Sequence, residues 1–155
     1  MAEKVEQITP PANQYAALPY RLTADGNLEF LLITSRGSGQ WIIPKGKPIA
    51  GMTSAETAAR EAFEEAGVQG DIGDAPIGRF AYVKDQGQIT ERFVPGVEVY
   101  PLKVTGTLTL WPEFGQRQIL WCDTLTALGK IDLEALRTIV RQFAATHQPS
   151  DKAEP

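Results

Sequence analysis

The stretch from Thr53 to Gly67 restricts this chain more than any other. Thr53 is followed three residues later by Glu56, the spacing of a capping box in which each side chain satisfies a backbone amide at a helix start. Ser54 to Ala66 is rich in Ala and Glu, which favour helix, and Gly67 stands where a helix would end. Ala55, Ala58, Ala59, Ala62, Phe63 and Ala66 occupy the side of this helix away from its glutamates, and small alanines allow close approach to a sheet. The rest of the chain must therefore supply that sheet.

Strand-like runs are present on both sides of the helix. Ala16 to Thr23 and Leu28 to Thr34 read as a β-hairpin around Ala24-Asp25-Gly26-Asn27, and Trp41-Ile42-Ile43 as a short strand ending at Pro44. Further strands are expected at Gly78 to Lys84 and Val97 to Val104, with Asp85-Gln86-Gly87-Gln88 as a turn, and at Thr107 to Trp111 and Ile119 to Trp121. Ile131 to His147 places Leu133, Leu136, Ile139, Val140 and Phe143 on one face of an amphipathic helix. With 155 residues, 43% of them apolar, there is material for one packed core. We expect a single domain over residues 14–147, with mobile ends at 1–13 and 148–155.

Within the first helix, Glu61, Glu64 and Glu65 stand at i, i+3 and i+4, which brings three carboxylates to one side of a single turn. Arg60 relieves only part of their repulsion, through its i+4 neighbour Glu64. Two readings are open on spacing alone. The helix presents a solvated acidic face, or it holds a hard divalent cation such as Mg²⁺, which takes oxygen ligands and bridges to phosphate.

Charge and composition narrow the partners. A net charge of −4 argues against a broad nucleic-acid surface, yet carboxylate-bound cations allow an acidic protein to act on an anionic substrate. The single cysteine, Cys122, excludes an internal disulfide and a Cys-rich metal site. The longest aliphatic and aromatic run is Phe30 to Ile33, so no membrane span is expected, and the polar start of the chain gives no secretory signal. A soluble, cytoplasmic protein is the expectation.

The stretch Gly46 to Val68 resembles the Nudix box: Gly, five residues, Glu, seven residues, then Arg-Glu-apolar-any-Glu-Glu-any-Gly-apolar. Gly46, Arg60, Glu61, Ala62, Glu64, Glu65, Gly67 and Val68 fall on the pattern. The departure is Met52, where the pattern has Glu, which removes any loop-anchoring or water-orienting role of that side chain. The resemblance runs from about Ala17 to Phe143. It implies the Nudix fold, an α/β (α+β) arrangement with a mixed sheet sandwiched between helices. It also implies a hydrolase that uses Mg²⁺ or Mn²⁺ to cleave a diphosphate (pyrophosphate) linkage. Glu61, Glu64 and Glu65 would hold the metal together with a backbone carbonyl near Gly46.

The resemblance leaves the general base among Glu61, Glu91, Glu98 and Glu113, with Glu113 favoured because it lies in Trp111-Pro112-Glu113, a loop expected near the site. Arg36, Lys45 and Lys47 flank the strand-to-helix loop and are the candidate phosphate contacts, ahead of Arg21, Lys84 and Arg117. Trp-Ile-Ile-Pro-Lys-Gly-Lys, the later Trp-Pro-Glu with Arg117, and Trp121 look similar to the diphosphoinositol polyphosphate and diadenosine polyphosphate hydrolase branch. Trp41, Trp111, Tyr82 and Tyr100 are candidates for stacking on a base. The implied partner is a polyphosphorylated small molecule, and a homodimer is an assembly open to relatives. Two other functions compete: a non-catalytic Nudix-fold module that binds a nucleotide or protein, and an acidic helical surface without metal.

Overall fold

The computed structural model describes residues 11–147. The expected mobility of residues 1–10 and 148–155 falls outside them. Asn13 is held at both ends, its amide donating to the Gly96 carbonyl at 2.7 Å and its Oδ1 accepting from the Gly96 amide at 2.9 Å.

The sheet is mixed. β1 (Gln14–Leu22) pairs antiparallel with β2 (Leu28–Thr34), as the hairpin reading expects, and parallel with β7 (Arg92–Thr107). β2 carries β3 (Trp41–Ile42) and β8 (Ile119–Asp123), and β1 also carries β4 (Lys45–Gly46). β7 continues the sheet to β5 (Val68–Ile72) and β6 (Gly78–Lys84).

Alternation along the strands loads both faces with apolar side chains. On one face Leu18, Phe30, Leu32, Val97 and Val99 pack with Leu136, Val140 and Phe143 of α3 (Glu134–Thr146). On the other, Ala17, Leu31, Ile33 and Leu102 meet Ala55, Ala58, Ala62 and Ala66 of α1 (Ser54–Ala66). The sheet is thus sandwiched between helices, as expected.

Three local expectations are corrected. Thr107 to Trp111 is not a strand: β7 stops at Thr107, and Leu108 turns away to donate to the Gly67 carbonyl at 2.8 Å. The expected Val97 to Val104 is the middle of a much longer strand, which runs through Pro95, Gly96, Pro101 and Gly106 because partners on both sides hold it. The last helix begins at Glu134 and is preceded by an unexpected short helix, α2 (Thr124–Lys130), which Asp123 caps by accepting from the Thr126 amide.

Candidate active site

Both ends of α1 are built as the sequence suggests. Thr53 and Glu56 form the reciprocal capping box, and Gly67 ends the helix at φ 67°, a left-handed conformation that favours glycine. Gly67 has a second role, since a β-carbon there would collide with the ring of Trp111. The close fit lets residues 108–118 cross the end of α1 as a strap. The strap is fastened by the Glu113 amide donating to the Glu64 carbonyl at 3.0 Å and by the Gln118 amide donating to Thr34 Oγ1 at 2.9 Å.

A cleft of about 750 Å³ opens between α1, the 35–40 loop, β4 and the β6–β7 hairpin. Glu61, Glu64, Glu65 and Glu113 line it together with Arg36, Lys45, Gly46 and Lys47, so the three helical glutamates, the favoured base and the first-choice phosphate contacts reach the same space. β4 pairs with β1 through Tyr15↔Gly46 and Ala16↔Lys45, which fixes Gly46 beside the helix. Its missing side chain is occupied by the Glu61 carboxyl.

The carboxylates are not equivalent. Glu64 is turned toward Arg60, whose Nε lies 2.7 Å from its Oε2. Glu61 and Glu65 instead share a hydrogen bond, which requires one of the two to carry a proton. Burial raises both above the usual carboxylate range; the charges of Glu64 and Glu113 add to the rise at Glu61, whose bond to Glu65 opposes it, and the charge of Glu61 adds to the rise at Glu65. Glu65 is pushed up to about 8 although the Arg117 guanidinium opposes the shift. Glu65 Oε1 also accepts from the Lys45 amide at 3.3 Å. Lys45 is displaced the opposite way, down to about 8, chiefly because it too is desolvated. Its ammonium sits 4.5 Å from the centre of the Tyr82 ring, whose hydroxyl donates to Gln14 at 3.1 Å.

Among the described residues, no three His, Cys, Asp or Glu side chains converge on one point as arranged here. The donor chemistry nevertheless fits a hard divalent cation: carboxylate oxygens crowded in a desolvated cleft, beside backbone at Gly46, with surplus negative charge that holds a proton. Glu61, Glu64 and Glu65 are the residues that would hold such an ion, and its charge would neutralise theirs.

The other candidates are sorted by position. Of the glutamates outside the helix, Glu113 lines the cleft, whereas Glu98 accepts from the Tyr100 hydroxyl at 2.7 Å and Glu91 accepts from the Gly87 amide at the hairpin tip. That bond, with burial as the larger cause, pushes the Tyr100 hydroxyl up to about 12. Arg21 pairs with Glu29 and lies over Trp121, so it serves β1 and β2 and not the cleft. Lys84 and Arg117 do line it.

Stacking on a base finds less support. Tyr100 is buried in the core, Trp111 packs on Gly67 and edge-on to Phe114, and Trp41 faces Lys130. Only Tyr82 of the four reaches the cleft, and Lys45 covers its ring. Met52 is exposed at a turn and does not line the cleft. Sequence reasoning passed over Gln14, a buried amide at the cleft wall whose position at a strand start gave no periodic signal. It also underrated Arg117, whose two carboxylate partners are set only by the strap.

The family model described as NUDIX domain matches residues 14–142. Nudix hydrolase 12, mitochondrial, of Arabidopsis thaliana is 31% identical over 118 residues, covering 75% of this chain and 58% of that protein. Nudix hydrolase 18, mitochondrial, of the same plant is 34% identical over 111 residues, covering 67% of this chain and 60% of that protein. The chain therefore spans less than two thirds of the length of these two relatives. Among solved structures, a C. elegans Ap4A hydrolase superposes with a TM-score of 0.61 at 22% identity, covering 86% of this chain and 96% of that one. The MutT protein from Methanosarcina mazei Go1 gives 0.61 at 23% identity, covering 92% and 99%. Both likenesses concern the fold.

Proposed function

Starting from the premise that this chain belongs to the Nudix family, we propose that it is a metal-dependent hydrolase that cleaves a diphosphate linkage by attack of water on phosphorus. The observation that carries this reading is the convergence of buried Glu65 and half-buried Glu61 with Glu64 in a cleft whose walls also carry Arg36, Lys45 and Lys47. Acidic and basic groups facing one cleft suit a substrate that arrives with its own anionic oxygens.

Glu61, Glu64 and Glu65, with backbone near Gly46, would hold Mg²⁺ or Mn²⁺. When bound, the ion supplies neutralisation of phosphate oxygens and an acidified water. Arg36, Lys45 and Lys47 bind the phosphate chain, Arg36 already steadied by donating to Gln116 Oε1 at 2.7 Å. Glu113 accepts the proton of the attacking water as a new P–O bond forms and the bridging P–O bond breaks, the phosphate or monophosphate leaving with its electron pair. Glu113 is preferred over Glu91 and Glu98 because it alone of the three lines the cleft.

The substrate class we favour is a small molecule with a chain of several phosphates, of the diadenosine polyphosphate or diphosphoinositol polyphosphate kind. Support comes from four basic residues along one cleft, Arg36, Lys45, Lys47 and Lys84. The test is release of phosphate and nucleotide from diadenosine polyphosphates, diphosphoinositol polyphosphates, ADP-ribose and oxidised nucleoside triphosphates, with Mg²⁺ and with chelator. Turnover confined to Mg²⁺ and greatest on the first two groups is the expected result. Preference for ADP-ribose or an oxidised triphosphate would reject the substrate class, and no Mg²⁺-dependent turnover at all would reject the hydrolase.

A further inference from the structure

Arg117 is as deeply placed as Glu65, each side chain 8% exposed. A buried guanidinium is retained only where its charge is met, and here three elements meet it. Nη1 donates to the Thr34 carbonyl at the end of β2 at 3.1 Å. Nη2 stands 3.4 Å from Glu113 Oε1 on the strap and 3.6 Å from Glu65 Oε2 on α1. Nε is buried without an acceptor, so the group is held through its two terminal nitrogens.

The strap that carries Arg117 also carries Glu113; its fastenings at Gly67, Glu64 and Thr34 are to backbone or to a hydroxyl, and the Arg36 bond at Gln116 does not touch Glu113. These fix the course of the chain and leave the Glu113 carboxylate free to swing. Arg117 is the contact that aims it. We propose that Arg117 is a positioning residue, a clasp that holds the Glu113 and Glu65 carboxylates in register across the cleft, its charge spent inside the protein and not on substrate phosphate. The inference rests on the hydrolase reading for its effect on rate. Only a planar fork can address a carbonyl and two carboxylates together, so lysine would not substitute.

The experiment compares Arg117→Lys and Arg117→Gln with the wild-type chain in steady-state hydrolysis with Mg²⁺ and in amide hydrogen exchange without it. A misaimed group costs on the order of 10- to 100-fold in rate, so kcat should fall at least tenfold in both variants with KM within about twofold. Exchange at the Gln118 and Glu113 amides should quicken, while β1 and β7 stay protected; Arg117→Lys keeps a charge there if Arg117→Gln fails to fold. A raised KM with kcat unchanged would make Arg117 a phosphate ligand and overturn the clasp. Unchanged kcat with unchanged exchange would overturn it as well. Should the wild-type chain hydrolyse nothing, the hydrolase reading fails by itself, and unchanged exchange in the variants would still overturn the clasp.

Discussion

The Glu61 carboxyl lies where a side chain on Gly46 would have to be. A β-carbon at Gly46 would stand 2.5 Å from Glu61 Oε2 and 2.6 Å from Oε1, closer than non-bonded atoms can approach. The glycine of the strand-to-helix loop and the first glutamate of the helix are therefore one structural unit, although fifteen positions separate them in the chain.

Gly46→Ala should displace Glu61 and leave the fold in place, because β4 keeps its pairing with β1. The expected outcome is a loss of at least tenfold in kcat, on the scale of a misplaced catalytic group, with the far-ultraviolet circular dichroism spectrum unchanged. An alanine variant of full activity would mean that Glu61 need not occupy this position.

The Glu61–Glu65 pair predicts an unusual pH dependence for the metal-free protein. Burial first, and the neighbouring carboxylate second, raise Glu65 from 4.5 to about 8 against the pull of Arg117. A carboxyl that binds its proton more tightly when folded contributes stability that is present below its unfolded value and lost as pH rises through the folded one. With chelator present, Tm should fall between pH 5 and 8.5, and Glu65→Gln should flatten that fall. Added Mg²⁺ should restore Tm at pH 8 in the wild-type chain and do less in the variant. A metal-free Tm that rises across this range would contradict the shared proton.

Lys45, lowered to about 8 by burial, should lose its charge as pH passes that value. If it binds phosphate, KM should climb between pH 7 and 9, and Lys45→Arg, which stays charged, should hold KM level over the same interval. Parallel profiles for the two proteins would remove Lys45 from substrate binding.

The capping box offers a control that separates stability from chemistry. Thr53 accepts from the Glu56 amide at 3.1 Å, at the end of α1 away from Glu61, Glu64 and Glu65. Thr53→Ala should cost about 1 kcal/mol, the usual loss for an N-cap. That corresponds to a Tm lower by about 2–4 °C in a chain of this size. Activity per folded molecule should not change; a large loss of kcat would show that the helix start is coupled to the site.

What could be read from the sequence follows how local each determinant is. α1 was legible because Thr53, Glu56 and Gly67 specify its ends within its own length, and the hairpin because its turn is four contiguous residues. β5 was not legible: Gln69-Gly70-Asp71 has poor strand propensity and a register shift at Gln69/Gly70, and only pairing with the distant β7 makes it a strand. α2 went unread because it buries Ala127 while Leu125 faces solvent, so no apolar period marks it. The glutamates and basic residues of the cleft were legible as a set from the box spacing. Their hydrogen bonds were not, because the clasp of Arg117 on Glu65 and Glu113 depends on a strap whose course is fixed by backbone bonds to Glu64 and Gly67. Of the aromatic candidates only Tyr82 lines the cleft; for Trp41 and Tyr100 alternation shows that a ring lies on a face and not whether that face is core or cleft, and Trp111 is placed by the strap.

The most direct test of the account is the initial rate on a diadenosine polyphosphate with Mg²⁺, measured for the wild-type chain and for Glu65→Gln, whose fold is checked by circular dichroism. The account predicts that the wild-type rate vanishes with chelator and that the variant, though folded, is slower by at least about a hundredfold, the scale expected when a catalytic group is removed. A folded Glu65→Gln protein hydrolysing at the wild-type rate would contradict it, because the carboxylate helix would then not be where the chemistry occurs.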